Sequence, residues 1–207
     1  MRFVLFAEGK TEHAVRHLIG RWIEAKTGKR VAVRIVVFRG NADYLATITR
    51  KVHVQLDSPV NHDAIGVGLL DLYGLPIRGL KGLPDVDSRY HHAKRGVEQK
   101  VKHKRFHQFF AVHETEAWLL GDPECLPSDI RSKLHDCFDR PETVDMDDPP
   151  SARIKRAYLQ TMPKSYKKAI MGPRWFDKLD IERATERCPY LKGLLDSLVS
   201  FVDGEGA

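Results

Sequence analysis

Residues 3–12 read Phe3-Val4-Leu5-Phe6-Ala7-Glu8-Gly9-Lys10-Thr11-Glu12. An apolar run is followed by a carboxylate, a glycine and the start of a helical pattern. That order is typical of a buried strand that ends near Glu8 and leads into a helix beginning at Thr11 or Glu12. In α/β folds the carboxyl ends of such strands form the edge where ligands bind. The stretch therefore predicts an α/β protein with Glu8 at that edge.

Three further apolar runs continue the pattern. Val31–Phe38 is rich in β-branched residues, Ala64–Leu70 ends at Asp71, and Phe106–Val112 ends at His113-Glu114-Thr115-Glu116. Because helical patterns separate the runs, we predict a parallel sheet of about four strands flanked by helices. Beyond residue 122 the predicted helices lie at about 152–159, 165–171, 181–188 and 191–202. We therefore predict an α/β core over residues 1–122 and a helical region over 123–207, packed on the core as one compact unit.

Composition narrows the class of protein. The chain has 207 residues, 42% of them apolar, and a formal net charge of +6. The three cysteines are far apart, which disfavours a zinc or disulfide framework and favours a cytoplasmic location. No apolar stretch approaches the roughly 20 residues that span a bilayer, so no membrane partner is expected. The basic charge favours an anionic partner, and nucleic acid is the commonest one.

Acids at three predicted strand ends suggest a metal site. Glu8, Asp71 and the pair Glu114 and Glu116 would lie at one edge of a parallel sheet. A carboxylate at the end of a buried strand is costly unless it is paired with a cation or a metal. Mg²⁺ and Mn²⁺ prefer oxygen ligands. We predict that these four acids bind Mg²⁺ or Mn²⁺, while helix capping by each acid separately remains the alternative.

Residues near these acids have less specific signals. Gly9-Lys10-Thr11 resembles the end of a phosphate-binding loop, but the required earlier glycine is replaced by Val4, which excludes that motif. Lys10 could contact a phosphate or pair with Glu12. Glu12 could support the metal or cap its helix. His113 precedes the acid pair and could take part in chemistry or orient Glu114.

A basic segment, predicted to be a helix from about Ser88 to Lys104, lies between the third and fourth strands. We predict that its cations bind nucleic-acid phosphates, although a solvated helix face is the simpler reading of such a charge run. The residues predicted to make these contacts are Arg89, Lys94, Arg95, Lys102, Lys104 and Arg105.

The ordered set of motifs resembles a bacterial Toprim-related family catalogued as domain of unknown function 4276. It consists of Glu8-Gly9-Lys10-Thr11-Glu12, then Leu70-Asp71-Leu72-Tyr73-Gly74-Leu75, then His113-Glu114-Thr115-Glu116-Ala117-Trp118-Leu119-Leu120. Further matches are Glu98, Pro149-Pro150-Ser151, Lys167-Lys168-Ala169-Ile170, Ile181 and Cys188-Pro189, so the likeness covers nearly the whole chain. It implies a Toprim-like fold, similar to the Toprim domains of OLD-family nucleases.

The resemblance also implies a function. Toprim domains hold Mg²⁺ for phosphodiester chemistry with a glutamate after the first strand and an Asp-x-Asp after a later one. Glu8 matches the glutamate and Asp71 the first aspartate, but the second position is Tyr73. Glu116, assisted by Glu114, could replace the missing ligand, which makes Glu8, Asp71 and Glu116 the expected catalytic residues. The implied activity is Mg²⁺-dependent nucleic-acid cleavage, and the implied setting is phage defence with an ATPase partner. The alternative is a non-catalytic module that binds nucleic acid or an ATPase.

Overall fold

Four parallel strands form the sheet of this computed structural model, which describes residues 1–9, 12–143, 147–161 and 168–204. They are β1 (Arg2–Glu8), β2 (Ala32–Phe38), β3 (Ala64–Asp71) and β4 (Phe106–Ala111), in the spatial order β2-β1-β3-β4. β1 pairs with β2 and β3, and β3 pairs with β4, all in parallel. The predicted parallel α/β sheet of about four strands is confirmed.

Helices cover both faces of the sheet. Those of the first half are α1 (Glu12–Thr27), α2 (Asn41–Leu56), α3 (Val86–Val101) and α4 (Glu116–Gly121). Alternate side chains of β1 point to opposite faces, as the period of a strand requires. Phe3 and Leu5 pack in the apolar cluster that contains α1, whereas Val4 and Phe6 pack in the cluster that contains α2 and α3. The strands are therefore buried on both faces, which explains their continuous apolar runs.

The second half of the described chain is helical. It contains α5 (Ser128–Arg131), α6 (Pro150–Thr161), α7 (Lys168–Lys178), α8 (Ile181–Arg187) and α9 (Pro189–Asp203), with short 3₁₀ turns at Pro123–Cys125, His135–Cys137 and Pro141–Thr143. Side chains from both sides of residue 122, including Phe3, Trp118 and Leu198, share one apolar cluster. The described helices include none that is long and apolar enough to cross a membrane.

Two predicted helix boundaries are wrong. The helix expected at 165–171 extends to Lys178 as α7, because Trp175 and Phe176 are buried in the main apolar cluster and hold the later turns in place. The basic helix expected to reach Lys104 ends at Val101, since Lys102 adopts a left-handed conformation with φ of 53° and its N–H bonds to the Glu98 carbonyl.

The outer edge of β4 is closed by two side chains of α3. The Gln108 backbone N–H donates to Glu98 Oε1 at 2.9 Å, and its carbonyl accepts from Lys94 Nζ at 2.7 Å. Lys94 and Glu98 also form an ion pair of 2.8 Å with each other. Unpaired strand edges invite association with other chains. The sequence left the role of Glu98 open. The structure shows that it accepts a hydrogen bond from the outer edge of the sheet.

Glu142 links the 3₁₀ turn at Pro141–Thr143 to the start of α9. Its side chain accepts hydrogen bonds from the backbone N–H groups of Tyr190 at 2.8 Å and Leu191 at 3.1 Å. Only 3% of Glu142 is exposed, and burial raises its pKa to about 7 despite these two bonds. The carboxyl group is therefore a buried cap of a helix N-terminus.

We expect Glu142 to make stability fall as pH rises. Because its pKa is raised in the folded protein, its contribution is fully present below the ordinary value of 4.5 and is lost as pH rises through about 7. A shift of this size corresponds to about 3 kcal/mol. Denaturant unfolding of the wild type and Glu142→Gln at pH values across this window measures the difference. Gly96→Ala changes no ionisable group and should keep the wild-type slope, and an unchanged slope in Glu142→Gln would refute the assignment.

Candidate functional site

Glu8 and Asp71 end adjacent strands at the same edge of the sheet. Glu8 is the last residue of β1 and Asp71 the last of β3, and the two strands pair in parallel from Arg2 and Ala64 onward. The chain leaves β1 toward β2 on one side and crosses back to β3 on the other. Such a reversal of strand order opens a crevice beyond the carboxyl ends of the strands. The two acids therefore border the position where α/β folds place ligands.

The segment after β4 reaches the same edge. The Thr115 backbone N–H donates to Asp71 Oδ1 at 3.0 Å, and the Tyr73 N–H donates to the His113 carbonyl at 3.0 Å. These two bonds hold the segments after β3 and β4 side by side. The fold thus brings Asp71 next to the acid pair that follows it by more than forty residues.

Glu114 and Glu116 are both buried, with 8% and 2% of their surfaces exposed. Glu114 Oε2 accepts a 2.9 Å hydrogen bond from the backbone N–H of Ser151, in the first turn of α6. Glu116 is the first residue of α4, and its Oε2 accepts from the Thr115 hydroxyl at 3.3 Å. Glu114 therefore acts in part as a helix cap, and the helix that it caps is α6 in the second half of the chain.

The exposure of Glu8 differs from that of the rest of its strand. Residues 3–7 are buried, but Glu8 itself is exposed. The desolvation argument for a metal or cation partner therefore fails for Glu8 and applies to Glu114 and Glu116 instead. A Cβ built on Gly40 would lie 3.7 Å from Glu8 Oε1, so the N-terminus of α2 lies beside this carboxylate. The positive end of the helix dipole favours negative charge there.

The supporting residues are only partly described. Lys10 lies outside the described residues, and Glu12 is the first residue of α1, with its side chain also outside them. His113 is buried, with 3% exposed, directly before the acid pair. Tyr73, two residues after Asp71, is 39% exposed. The roles predicted for Lys10, Glu12 and His113 stay predictions.

The edge acids do not form a tight preformed ligand set. Within the part of the chain that the structure describes, one group of three or more metal-ligand side chains has ligand atoms all within 4.8 Å, and it is His53, Asp57 and His103. Any ion shared by Glu8, Asp71, Glu114 and Glu116 would need bridging water or side-chain rotation. Their joint binding of Mg²⁺ or Mn²⁺ stays a prediction.

The His53–Asp57–His103 group could bind a metal, and it lies at the opposite, amino edge of the sheet. His53 Nε2 bonds to the Val101 carbonyl at 3.1 Å and its Nδ1 to Asp57 Oδ2 at 3.0 Å. His103 Nε2 bonds to Asp57 Oδ1 at 3.1 Å. The hydrogen bond to Val101, and then the bond to Asp57, raise the pKa of His53.

The proton arrangement of this group favours hydrogen bonds to Asp57 over metal binding. Because His103 Nδ1 accepts from the Arg105 backbone N–H at 3.2 Å, the proton of a neutral His103 ring sits on Nε2, which faces Asp57. A metal would have to displace that proton. The spacing of His53 and Asp57, one helical turn apart, was visible in the sequence, but the approach of His103 depends on tertiary structure.

Three of the six cations predicted to bind nucleic acid are engaged inside the protein. Arg105 donates to the backbone carbonyls of Leu56, Asn61, His62 and Ala64. Arg89 donates to the Leu83 carbonyl, and Lys94 closes the β4 edge.

The other three cations, Arg95, Lys102 and Lys104, are exposed. Lys102 and Lys104 lie between the end of α3 and the start of β4, at the edge opposite Glu8 and Asp71. A strand of six residues spans about 20 Å, so these two lysines are far from the acids. Nucleic-acid binding by the segment stays a prediction.

Comparison with known proteins identifies related sequences. A model of the family described as Domain of unknown function (DUF4276) matches residues 7–199. Among solved structures, the chain is similar to the C-terminal region of the Burkholderia pseudomallei OLD protein, with 13% sequence identity, a TM-score of 0.47, and coverage of 95% of this chain and 98% of that one. A structural similarity at this level carries no argument about activity. No curated protein matches.

Proposed function

This chain belongs to the DUF4276 family, and from that premise we propose that it hydrolyses nucleic-acid phosphodiester bonds with Mg²⁺ or Mn²⁺ at the carboxyl edge of its sheet. The observation that carries the proposal is the meeting of acids from separate strand ends. Glu8 and Asp71 end neighbouring parallel strands, and the Thr115 N–H donates to Asp71 within the segment that carries Glu114 and Glu116. The resemblance to Toprim domains supports the same chemistry.

Each acid has a distinct proposed role. Asp71 and Glu116 would hold the ion, Glu114 would support Glu116, and the exposed Glu8 would either ligate the ion or take a proton from the attacking water. A bound Mg²⁺ supplies stabilisation of the charge that develops on phosphoryl oxygens. His113 is proposed to hold the acid pair in position. Lys10 is proposed to contact a phosphate of the substrate, and Glu12 to support binding of the ion. The net charge of +6 favours the polyanionic substrate.

Metal binding at this edge can be tested without an activity assay. We expect saturating Mn²⁺ to raise the melting temperature of the wild type by roughly 5–10 °C, the shift for a ligand near one hundred times its Kd in a chain of this size. Glu8→Ala should abolish the shift. Because the His53–Asp57–His103 group could also bind a metal, His53→Gln serves as the control and should keep it. A shift lost only in His53→Gln would show that the ion binds at the His53–Asp57–His103 group and not at the proposed edge.

Cleavage itself is tested on a supercoiled plasmid and on a labelled RNA. The wild type should cut at least one of them with Mn²⁺ or Mg²⁺ and neither with EDTA. Failure of cleavage, together with a Mn²⁺ shift that depends on Glu8, would indicate a metal site in a non-catalytic module.

That module is the second candidate function, and Tyr73 is the observation that favours it. An exposed tyrosine stands where Toprim domains carry their second metal-binding aspartate. In that case the chain would bind nucleic acid or an ATPase without cutting. By the same resemblance, we propose phage defence with an ATPase partner as the setting; co-purification with an ATPase encoded nearby would test it.

A further inference from the structure

A groove along α1 and β2 carries four arginines that form no ion pair within the described part of the chain. Its volume is about 600 Å³, and its walls include Arg2, Arg16, Arg21 and Arg34. No carboxylate in the described part of the chain lies within 4.0 Å of any of these guanidinium groups. The acid in the groove wall is Glu24, and it pairs with Arg30 at 2.7 Å. The groove therefore has an excess of positive charge.

Two of these arginines are fixed by neutral acceptors. Arg21 donates to the carbonyls of Phe176, Asp177 and Leu179 at 3.1–3.2 Å. Arg2 donates to Asn61 Oδ1 at 3.1 Å and to the Val60 carbonyl. Such bonds hold a guanidinium in place without cancelling its charge. In this respect the groove differs from α3, where the carboxylate of Glu98 neutralises the charge of Lys94.

The other two arginines are Arg16 on α1 and Arg34 on β2. Both are exposed, and neither bonds to any side chain in the described part of the chain. Guanidinium groups match the geometry of phosphate oxygens and can bind them through two parallel hydrogen bonds. We propose that this groove binds the phosphodiester backbone of a nucleic acid.

The course of the groove fits a long ligand. Arg16 lies four residues into α1, about 6 Å along the helix from the end that follows Glu8. Arg2 lies at the other end of β1, about 20 Å from Glu8. A nucleic-acid strand in the groove would thus run from the amino edge of the sheet toward the acids. Lys102 and Lys104 offer no comparable path, since both lie at the amino edge.

The test measures binding of a short labelled single strand, as DNA and as RNA of the same sequence, by fluorescence anisotropy in EDTA. We expect Arg16→Gln/Arg34→Gln to raise the Kd about tenfold and to reduce the slope of log K against log salt by about 1.4, as the loss of two phosphate contacts predicts. These two substitutions leave the structural bonds of Arg2 and Arg21 intact. Unchanged melting temperatures check the fold.

The competing double variant Lys102→Gln/Lys104→Gln removes the same net charge from the basic segment. It should change the Kd less than twofold. Equal losses in the two variants, a loss in the lysine variant alone, no binding by the wild type, or tighter binding to phosphatidylserine vesicles would overturn the proposal. Since EDTA removes the metal, the binding result does not depend on whether the edge acids hold an ion or on whether the protein cleaves its ligand. Failure of the nuclease proposal and failure of the groove therefore give different results.

Discussion

Replacing Gly68 with alanine should destabilise this protein by about 3 kcal/mol or more, the sum of overpacking and of a disturbed buried hydrogen bond. A Cβ at this position in β3 would lie 2.3 Å from both Gln108 Oε1 and the Tyr44 hydroxyl. These two groups bond to each other at 2.6 Å, and both side chains are fully buried. Neither can move aside without leaving a polar atom unsatisfied in the core.

The measurement is thermal or urea unfolding of the purified variant. A loss of this size corresponds to a fall in melting temperature of roughly 6–12 °C. Gly96→Ala is the matched control, because a Cβ at that position in α3 meets nothing within 4 Å. Alanine there should stabilise by about 0.5–1 kcal/mol through its higher helix propensity. A melting temperature of Gly68→Ala within a degree or two of the wild type would show that the Tyr44–Gln108 pair repacks freely.

The strands of this fold were predictable because each is an apolar run with a clear stop. β1 and β3 end at the acids Glu8 and Asp71, one residue beyond the apolar runs that predict them. The meeting of strand-end acids at one edge then follows from parallel pairing alone. The length of α7 was not predictable in the same way, since its later turns are held by Trp175 and Phe176 against residues far away in the sequence.

Side-chain roles that depend on distant partners could not be read from the sequence. Arg105 looked like a nucleic-acid contact within a charge run, yet it bonds to carbonyls about forty to fifty residues earlier. Glu142, in an acidic loop, caps a helix that begins 47 residues later. The exposure of Glu8 also depends on neighbouring elements, because strand periodicity predicts a face and not the surroundings of the final residue. Local pattern thus places the acids, while tertiary contacts decide which charges remain available.

Glu8→Gln and Asp71→Asn should each lower the rate of metal-dependent cleavage by roughly 10²- to 10³-fold, the usual effect of removing one group that stabilises charge in a transition state. Both changes keep the size of the side chain and remove only its charge. The exposed Glu8 should tolerate the change with little effect on the fold, whereas Asp71→Asn keeps an oxygen that can accept from the Thr115 N–H. Single-turnover cleavage with Mn²⁺ measures the rates, and Glu182→Gln on the exposed surface of α8 should cleave like the wild type.

Tyr73→Asp extends the same experiment in the opposite direction. If Glu116 already completes the ion site, an added carboxylate at the exposed position 73 should raise the rate less than twofold. If the site lacks a ligand, the rate or the Mn²⁺ affinity should rise about tenfold or more, the scale on which changes around a metal site act. Wild-type rates in both Glu8→Gln and Asp71→Asn would show that cleavage does not take place at this edge of the sheet, because the reaction would then depend on neither strand-end charge.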